Sequence, residues 1–403
     1  MKENALLLQM NKLNIVSISH VMPSGSTFLH SLFDSHPEVI TIPGYIDIFS
    51  FLNYRFYSPE RVLEVFNERN PDFYDTSGQT IEKPGHGGLE TLGEDANEGI
   101  ITPKEEFKAY FMDFISSSKL SPKNIILSIY YAYSKSHNQD ILNKRIILMH
   151  PHYHDKAILL NNVFGDTKCL VTVKHPVRTY FSCIKRTVDK ARARGYCYNH
   201  ASAYLYRESV GVTPLIKNNI EFKIVRIEDF EHNIEDIMKN LSDFVDITYG
   251  DVLTRSTFGS KKYWGGNSSY KENKYSSSRH VIKDKLTYIE ENIFYLAFKK
   301  HCDFFGYELI RPKKYFSFFA FFTIFLPMKY DIYWIKNNFF IENNHYYDDL
   351  WNNNSSKCHV SRFQVIVSLF KERALIIKKY FFDIILSNNN DAIVKKSLVR
   401  VGK

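Results

Sequence analysis

The sequence predicts an α/β domain with a central, mostly parallel β-sheet, followed by a helical C-terminal extension. Five short runs are apolar and rich in β-branched residues, as is typical of strands buried on both faces of a parallel sheet. Amphipathic helical patterns lie between these runs, and alternation of strands and helices favours a parallel sheet. After Arg311 the composition shifts toward Phe, Tyr, Asn and Lys, which marks the extension.

The predicted strands cover residues 13–19, 124–129, 145–149, 169–173 and 222–227, and the predicted helices cover 27–34, about 178–192 and about 286–305. The first helix should end near Pro37, because the residue before a proline is biased away from helix. Residues 78–100 hold six of the 17 glycines and five acidic side chains, so we expect a loop there, able to move over a site. We predict an α/β domain over 1–311 and a basic, aromatic-rich extension over 312–403.

The formal net charge of +8 is concentrated in two zones. Residues 168–194 carry eight Lys or Arg and one Asp, and residues 312–403 carry fourteen basic and seven acidic side chains. The rest of the chain is therefore mildly acidic. This distribution argues against a protein that coats nucleic acid and favours one localised anion site plus a basic tail.

The chain has five cysteines with no metal-binding spacing, which we interpret as reduced, mostly buried thiols of a cytoplasmic protein. The first twenty residues have no signal-peptide pattern, and no run reaches the length of a membrane-spanning helix. The segment 315–327 is unusually aromatic and is framed by lysines. It fits a buried element, or a peripheral membrane contact through 313–330 at the inner face of the membrane.

The first predicted strand leads through a Gly/Ser turn, Ser24-Gly25-Ser26-Thr27, directly into a helix. Free N–H groups in the first helical turn, the helix dipole and three hydroxyls make such a turn an anion site. A Ser/Thr cap before an amphipathic helix is the simpler alternative. An ATP-binding Walker loop needs a Lys after the last Gly, and Ser26 stands there instead, which disfavours ATP chemistry.

The run SGSTFLHSLFDSHPEV resembles the 5′-phosphosulfate loop of sulfotransferases that use 3′-phosphoadenosine 5′-phosphosulfate (PAPS). The resemblance implies a P-loop-like three-layer sandwich. It also implies that Ser24, Gly25, Ser26 and Thr27 hold the 5′-phosphate, with Phe28 near the adenine. The family's basic residue before this run falls on Pro23 here.

A second motif follows the strand at 169–173, where Lys174 ends the strand and Ser182 lies eight residues later. This spacing is similar to the family's 3′-phosphate element, with Arg178 close by. An ammonium and a hydroxyl can converge on a dianionic phosphate. A solvated basic helix face is the alternative for the more distal lysines and arginines.

The strand at 145–149 is followed by His150, and His152 lies two residues later. The resemblance implies that a histidine here removes the proton of the acceptor hydroxyl, and an imidazole suits that role. We therefore assign His150, and next His152, as the catalytic base. A metal site is the weaker interpretation, since we see no partner Cys/His cluster. The family lysine two residues before the base falls on Leu148.

The run 257–264 resembles a late element that covers the cofactor, with Gly259 and Trp264 five residues apart. Lys261 and Lys262 supply its basic pair. The sequence therefore predicts a PAPS-dependent sulfotransferase that needs no metal, with a carbohydrate or glycolipid acceptor. Its Asn, Lys and Ile content favours a bacterial source. A degenerate nucleotide-binding or membrane-associated protein on this fold, and less so a P-loop phosphotransferase, are the alternatives.

Overall fold

The structure is a computed structural model of the 403-residue chain. It describes residues 2–20, 24–48, 51, 58–77, 88–183, 196–197, 205, 209–264, 270–271, 274–275, 286–308, 322–329, 331–332, 340–342, 357–359, 362–385, 393–394 and 396–399. Several predicted features lie outside the described residues. These are Pro23, the loop residues 78–87, the basic residues of 184–195 and the aromatic residues of 313–321.

A parallel five-stranded sheet forms the centre of the molecule. Its strands are β1 (Asn14–Ser19), β2 (Val39–Thr41), β3 (Ile146–His152), β4 (Lys168–Val173) and β5 (Glu221–Arg226), in the spatial order β2-β3-β1-β4-β5. The prediction of a mostly parallel sheet is confirmed. Strand order changes direction at β1, and ligands of such sheets bind at the carboxyl ends of the strands beside that point.

Helices cover both faces of the sheet. The described helices include α1 (Lys2–Lys12), α2 (Ser26–Phe33), α3 (Pro59–Arg69), α4 (Lys104–Ser116), α5 (Pro122–Ser136), α6 (His154–Phe164), α7 (Thr213–Lys217), α8 (Phe230–Val245), α9 (Tyr288–Phe305) and α10 (Arg362–Ile385). Alternate residues of β1 separate two cores: Ile15 packs with α1, α3, α4 and α5, while Val16 and Ile18 pack with α2 and α8. The fold is thus a three-layer α/β sandwich of the P-loop-like type.

The prediction of a strand at 124–129 is wrong, because these residues belong to helix α5. The Ser121 side chain caps this helix by accepting a hydrogen bond from the Asn124 N–H at 3.3 Å, and Pro122 occupies its first turn. Most of α5 is buried against the sheet and against α4, so its sequence is apolar on nearly all sides. A short apolar run of this kind does not distinguish a buried helix from a buried strand.

The C-terminal part packs on the α/β domain. Ile376 of α10 and Ile324 share an apolar core with α9 and with Tyr180. Leu398 forms a parallel bridge with Ile224 of β5, and Val399 lies in the core of the sheet. The predicted boundary at 311/312 stays a prediction, and the two segments it separates share these apolar contacts.

The described parts of the chain contain buried thiols and a buried ion pair. Cys169, Cys183 and Cys302 are buried and form no disulfide with one another. Arg373 and Asp331 pair at 2.8 Å in the C-terminal core.

Among the described residues, no helix has the length and apolar character that a membrane crossing would require.

Candidate active site at the carboxyl edge of the sheet

The turn between β1 and α2 is built around Gly25, whose φ of 79° lies in the left-handed region. A Cβ atom at this position would lie only 2.4 Å from Cγ1 of Ile227, so no other residue fits without a shift. The Leu29 N–H bonds back to the Gly25 carbonyl at 3.1 Å, which begins the helix directly at the turn. The first N–H groups of α2 therefore open at the carboxyl edge of the sheet, where they can hold an anion.

The hydroxyl of Ser24 ties this turn to the neighbouring strand β4. It lies 2.9 Å from the Thr172 carbonyl oxygen, to which it donates, and 2.7 Å from the Thr172 hydroxyl. Thr172 stands two residues before Lys174. The two predicted phosphate elements, separated by about 150 residues in the sequence, therefore meet at one edge of the sheet.

The other residues of the first motif differ in exposure. Ser26 is buried and Thr27 is half-buried at the start of α2. Phe28 is 5% exposed and packs edge to face on Phe230, with ring centroids 5.3 Å apart, in the core between α2 and α8. Its ring thus has a structural role here, and a contact with adenine stays a prediction.

At the end of β4, Lys174 is half-buried beside a fixed carboxylate, Glu228. The His175 N–H and the Tyr307 hydroxyl each donate to Glu228, at 2.9 Å. Burial lowers the pKa of Lys174, and the charge of Glu228 opposes this shift. Arg178 and Ser182, both half-buried, follow on the helical run 176–183 and share one face of it because they are four residues apart.

Histidines gather at the ends of β1 and β3. His150 is 6% exposed, and its ring lies 4.3 Å from that of His152, 5.1 Å from that of His30 and 6.3 Å from that of His20, between centroids. Burial, with smaller effects from His30 and His20, lowers the pKa of His150 well below its usual value. This imidazole is therefore neutral at physiological pH, and one of its ring nitrogens keeps a lone pair. Both predicted bases lie at the sheet edge that carries the two predicted phosphate elements.

Tyr45 and Lys156 also lie at this edge, and neither residue belongs to the sequence motifs described above. The ring of Tyr45 stacks on His152 with centroids 4.6 Å apart, and the buried ammonium of Lys156 donates to the Tyr45 hydroxyl. Lys156 lies on α6, which starts directly after β3. A lysine in the first turn of a helix that follows a strand could therefore have been predicted as a site residue. Tyr45 follows β2, a strand of three residues that leaves no recognisable pattern.

The predicted cofactor-covering element forms a hairpin of β6 (Thr257–Phe258) and β7 (Lys261–Lys262). Gly259 and the residue after it form its turn, both with positive φ. Lys261 pairs with Glu98 at 2.8 Å, and Lys262 pairs with Glu94 at 3.2 Å. Both ammonium groups are thus engaged by the acidic segment 88–100, and their role toward a cofactor stays a prediction.

Among solved structures, the chain is similar to the sulfotransferase domain from the curacin biosynthetic pathway, with a TM-score of 0.41 and 14% sequence identity over 74% of this chain and 99% of that domain. No family model and no curated protein matches the chain. The fold described above rests on the strand order and the helical layers of the chain itself.

Proposed function

We propose that the protein is a sulfotransferase that moves a sulfuryl group from PAPS to an acceptor hydroxyl or amine. The observation that carries this proposal is the meeting of the two predicted phosphate elements at one sheet edge, joined by the hydrogen bond between Ser24 and Thr172. PAPS carries phosphate groups at the 5′ and the 3′ positions of its ribose, so a protein that binds it needs two such elements side by side. A nucleoside triphosphate would need a Lys where Ser26 stands.

In this proposal the N-terminus of α2 holds the 5′-phosphosulfate through backbone N–H groups and through the hydroxyls of Ser26 and Thr27. Lys174, with Arg178 and Ser182, holds the 3′-phosphate. The S–O bond to the 5′-phosphate breaks as the bond between sulfur and the acceptor oxygen forms, and adenosine 3′,5′-bisphosphate leaves. These contacts hold the donor without a metal.

His150 is the proposed acceptor of the hydroxyl proton, and His152 is its neighbour at the same edge. The family's lysine position falls on Leu148, which is fully buried in the core and supplies no charge. We assign the charge-stabilising role to Lys156, the buried ammonium held on Tyr45 beside His152. A donor-binding protein without catalysis is the second candidate, and Leu148 is the observation that favours it.

Replacing Lys174 with alanine should weaken the binding of adenosine 3′,5′-bisphosphate by roughly tenfold to a hundredfold, because a hydrogen bond to a charged group contributes about 1.5–3 kcal/mol. Binding of AMP, which lacks the 3′-phosphate, should change little. Calorimetric titration of both nucleotides measures this selectivity, and thermal shifts should rank the bisphosphate above ADP and ATP.

The matched control for Lys174 is Lys168→Ala, at the opposite end of the same strand, where Lys168 pairs with Asp246. This variant should retain wild-type selectivity for the bisphosphate. Equal stabilisation of the wild-type protein by all four nucleotides would sink the sulfotransferase proposal. Binding of the bisphosphate without turnover of labelled PAPS would favour the second candidate.

We further propose a carbohydrate or glycolipid acceptor, with the protein at the inner face of the membrane and no nucleic acid partner. The segment 322–329 has two faces: Ile324 and Met328 are buried, whereas Phe322 is 57% exposed. On α10, Phe363, Val367, Phe370 and Phe381 are all exposed and lie within one narrow face of the helix, with Lys371 and Lys378 exposed at its border. An exposed apolar face bordered by lysines is the pattern of a helix that lies on an anionic membrane.

Phe363→Ser should reduce co-sedimentation of the protein with phosphatidylserine-containing vesicles by roughly tenfold, since burying a large apolar side chain contributes about 1.5–3 kcal/mol. Phe363 is 73% exposed, so the folded protein should be unaffected. Ile101→Ser is the control and should bind like the wild type, because Ile101 is an apolar residue of the α/β domain with a similar exposure of 68%. Equal sedimentation of all three proteins, or none, would contradict the membrane proposal.

A further inference from the structure

Three histidines at the ends of β1 and β3 have the arrangement of metal ligands. One ring nitrogen from each of His20, His150 and His152 lies within 4.8 Å of the other two. Nε2 of His20 and Nδ1 of His152 are 3.1 Å apart and share a hydrogen bond, which a bound ion would replace. Two nitrogens bound to one tetrahedral zinc ion at about 2.0–2.1 Å lie ~3.3 Å from each other, so this pair already has nearly the separation of two ligands.

The third histidine supplies an independent observation. His150 is nine-tenths or more buried, and within the part of the chain that the structure describes neither of its ring nitrogens has a hydrogen-bond partner. A neutral imidazole carries one N–H donor and one lone pair, and burying both without partners is unfavourable. A metal ion bound to the lone pair would remove part of this cost.

The backbone is distorted where these rings meet. The pairing of β1 with β3 shifts register between Ser17 and Ser19, where Ser17 faces Met149 and Ser19 faces His152. His152 itself has a φ of 66° in the left-handed region, and the His20 N–H donates to its carbonyl at 2.7 Å. Bulges and left-handed residues that re-aim side chains occur preferentially at functional sites.

We propose that His20, His150 and His152 bind a late first-row divalent metal ion through three imidazole nitrogens, which leaves the fourth position for a ligand that is not a protein side chain. Imidazole ligands suit zinc, copper and nickel, and three protein ligands with an open position are the donor set of reactive rather than purely structural zinc sites. The site goes beyond the proposed sulfuryl transfer, which draws on no metal. A bound ion would occupy the lone pair of His150, so Zn²⁺ should inhibit the transfer reaction.

The test is calorimetric titration of the full chain, free of any affinity tag and treated with EDTA, with Zn²⁺ in the absence of nucleotide. Co²⁺ titration followed by visible absorption reports the coordination geometry. We expect one ion per chain and an intense tetrahedral-type Co²⁺ spectrum. His152→Asn should lower the affinity by at least the roughly tenfold to hundredfold seen for the loss of an outer-shell partner. Asparagine tolerates a positive φ, so this variant retains the local backbone.

His150→Ala is the second ligand variant, and His232→Asn is the control because His232 is exposed on α8. The control should bind Zn²⁺ like the wild type. Equal Zn²⁺ affinity in all four proteins, or no binding by the wild type, would overturn the metal site. Bisphosphate binding is measured separately on EDTA-treated protein, so failure of the metal site and failure of the sulfotransferase proposal give different results.

Discussion

Replacing His150 with alanine is expected to slow sulfuryl transfer from PAPS by about 10²–10⁴-fold, the contribution of a positioned general base. The proposed donor-binding residues lie directly after β4 and at the start of α2, so binding of adenosine 3′,5′-bisphosphate should stay at the wild-type level. Single-turnover assays with labelled PAPS and metal-free protein measure the chemical step, and calorimetry measures donor binding.

A structural histidine would behave differently in the same experiment. His154, four residues later, is also buried, but its Nδ1 lies 2.7 Å from the Ser19 hydroxyl, with which it shares a hydrogen bond. His154→Ala should therefore lower the melting temperature, and its main effect should be on stability and not on the turnover per folded molecule. If His150→Ala retained full turnover, His150 would not be the base, and His152→Asn would become the next variant to assay.

Replacing Gly25 with alanine is expected to destabilise the protein by about 2–5 kcal/mol. Placing a residue with a Cβ in the left-handed region costs about 1–2 kcal/mol. The new Cβ would also meet the Ile227 side chain at 2.4 Å, and forcing an extra carbon into a packed core costs about 1–3 kcal/mol more. Because the same turn presents the N-terminus of α2, donor binding should be lost as well. Urea unfolding and bisphosphate titration measure the two effects.

Gly306 offers a matched control, since its φ of 69° and ψ of 32° are close to the 79° and 19° of Gly25. The nearest atom to a Cβ at Gly306 would be Nη1 of Arg226 at 3.3 Å, the end of a flexible side chain. Gly306→Ala should therefore show the conformational cost without a clash in the core. Combining Gly25→Ala with Ile227→Ala removes the clashing carbons, so the double variant should be more stable than the sum of the two single changes predicts. Equal losses at Gly25 and Gly306 would show that the contact with Ile227 is unimportant.

Local sequence patterns were sufficient to predict most strands of the sheet. Four of the five predicted strands correspond to observed ones, because a parallel strand buried on both faces needs a nearly continuous apolar run. The same reasoning failed at 124–129, since helix α5 is buried on most of its sides and produces a similar run. The short edge strand β2 was missed because its three residues are too few to show a period.

For the candidate site, the sequence predicted that the proposed anion-binding turn, Lys174 and His150 lie at strand ends, and such ends meet at one edge of a parallel sheet. It did not show which partners these groups have. Lys261 and Lys262 were predicted as cofactor ligands and are paired with Glu98 and Glu94, which lie about 160 residues earlier in the chain. No local spacing encodes an ion pair of that separation.

By itself, then, the sequence determined the α/β class, the parallel sheet and the strand ends that carry polar groups, because these follow from the period of apolar residues and from turn chemistry. Only the tertiary structure decided that Ser24 meets Thr172, that Glu228 stands beside Lys174, and that His20 joins His150 and His152. These contacts depend on strand order and on the register shift between β1 and β3. Both are set by long-range packing of the two cores, which no short stretch of sequence contains.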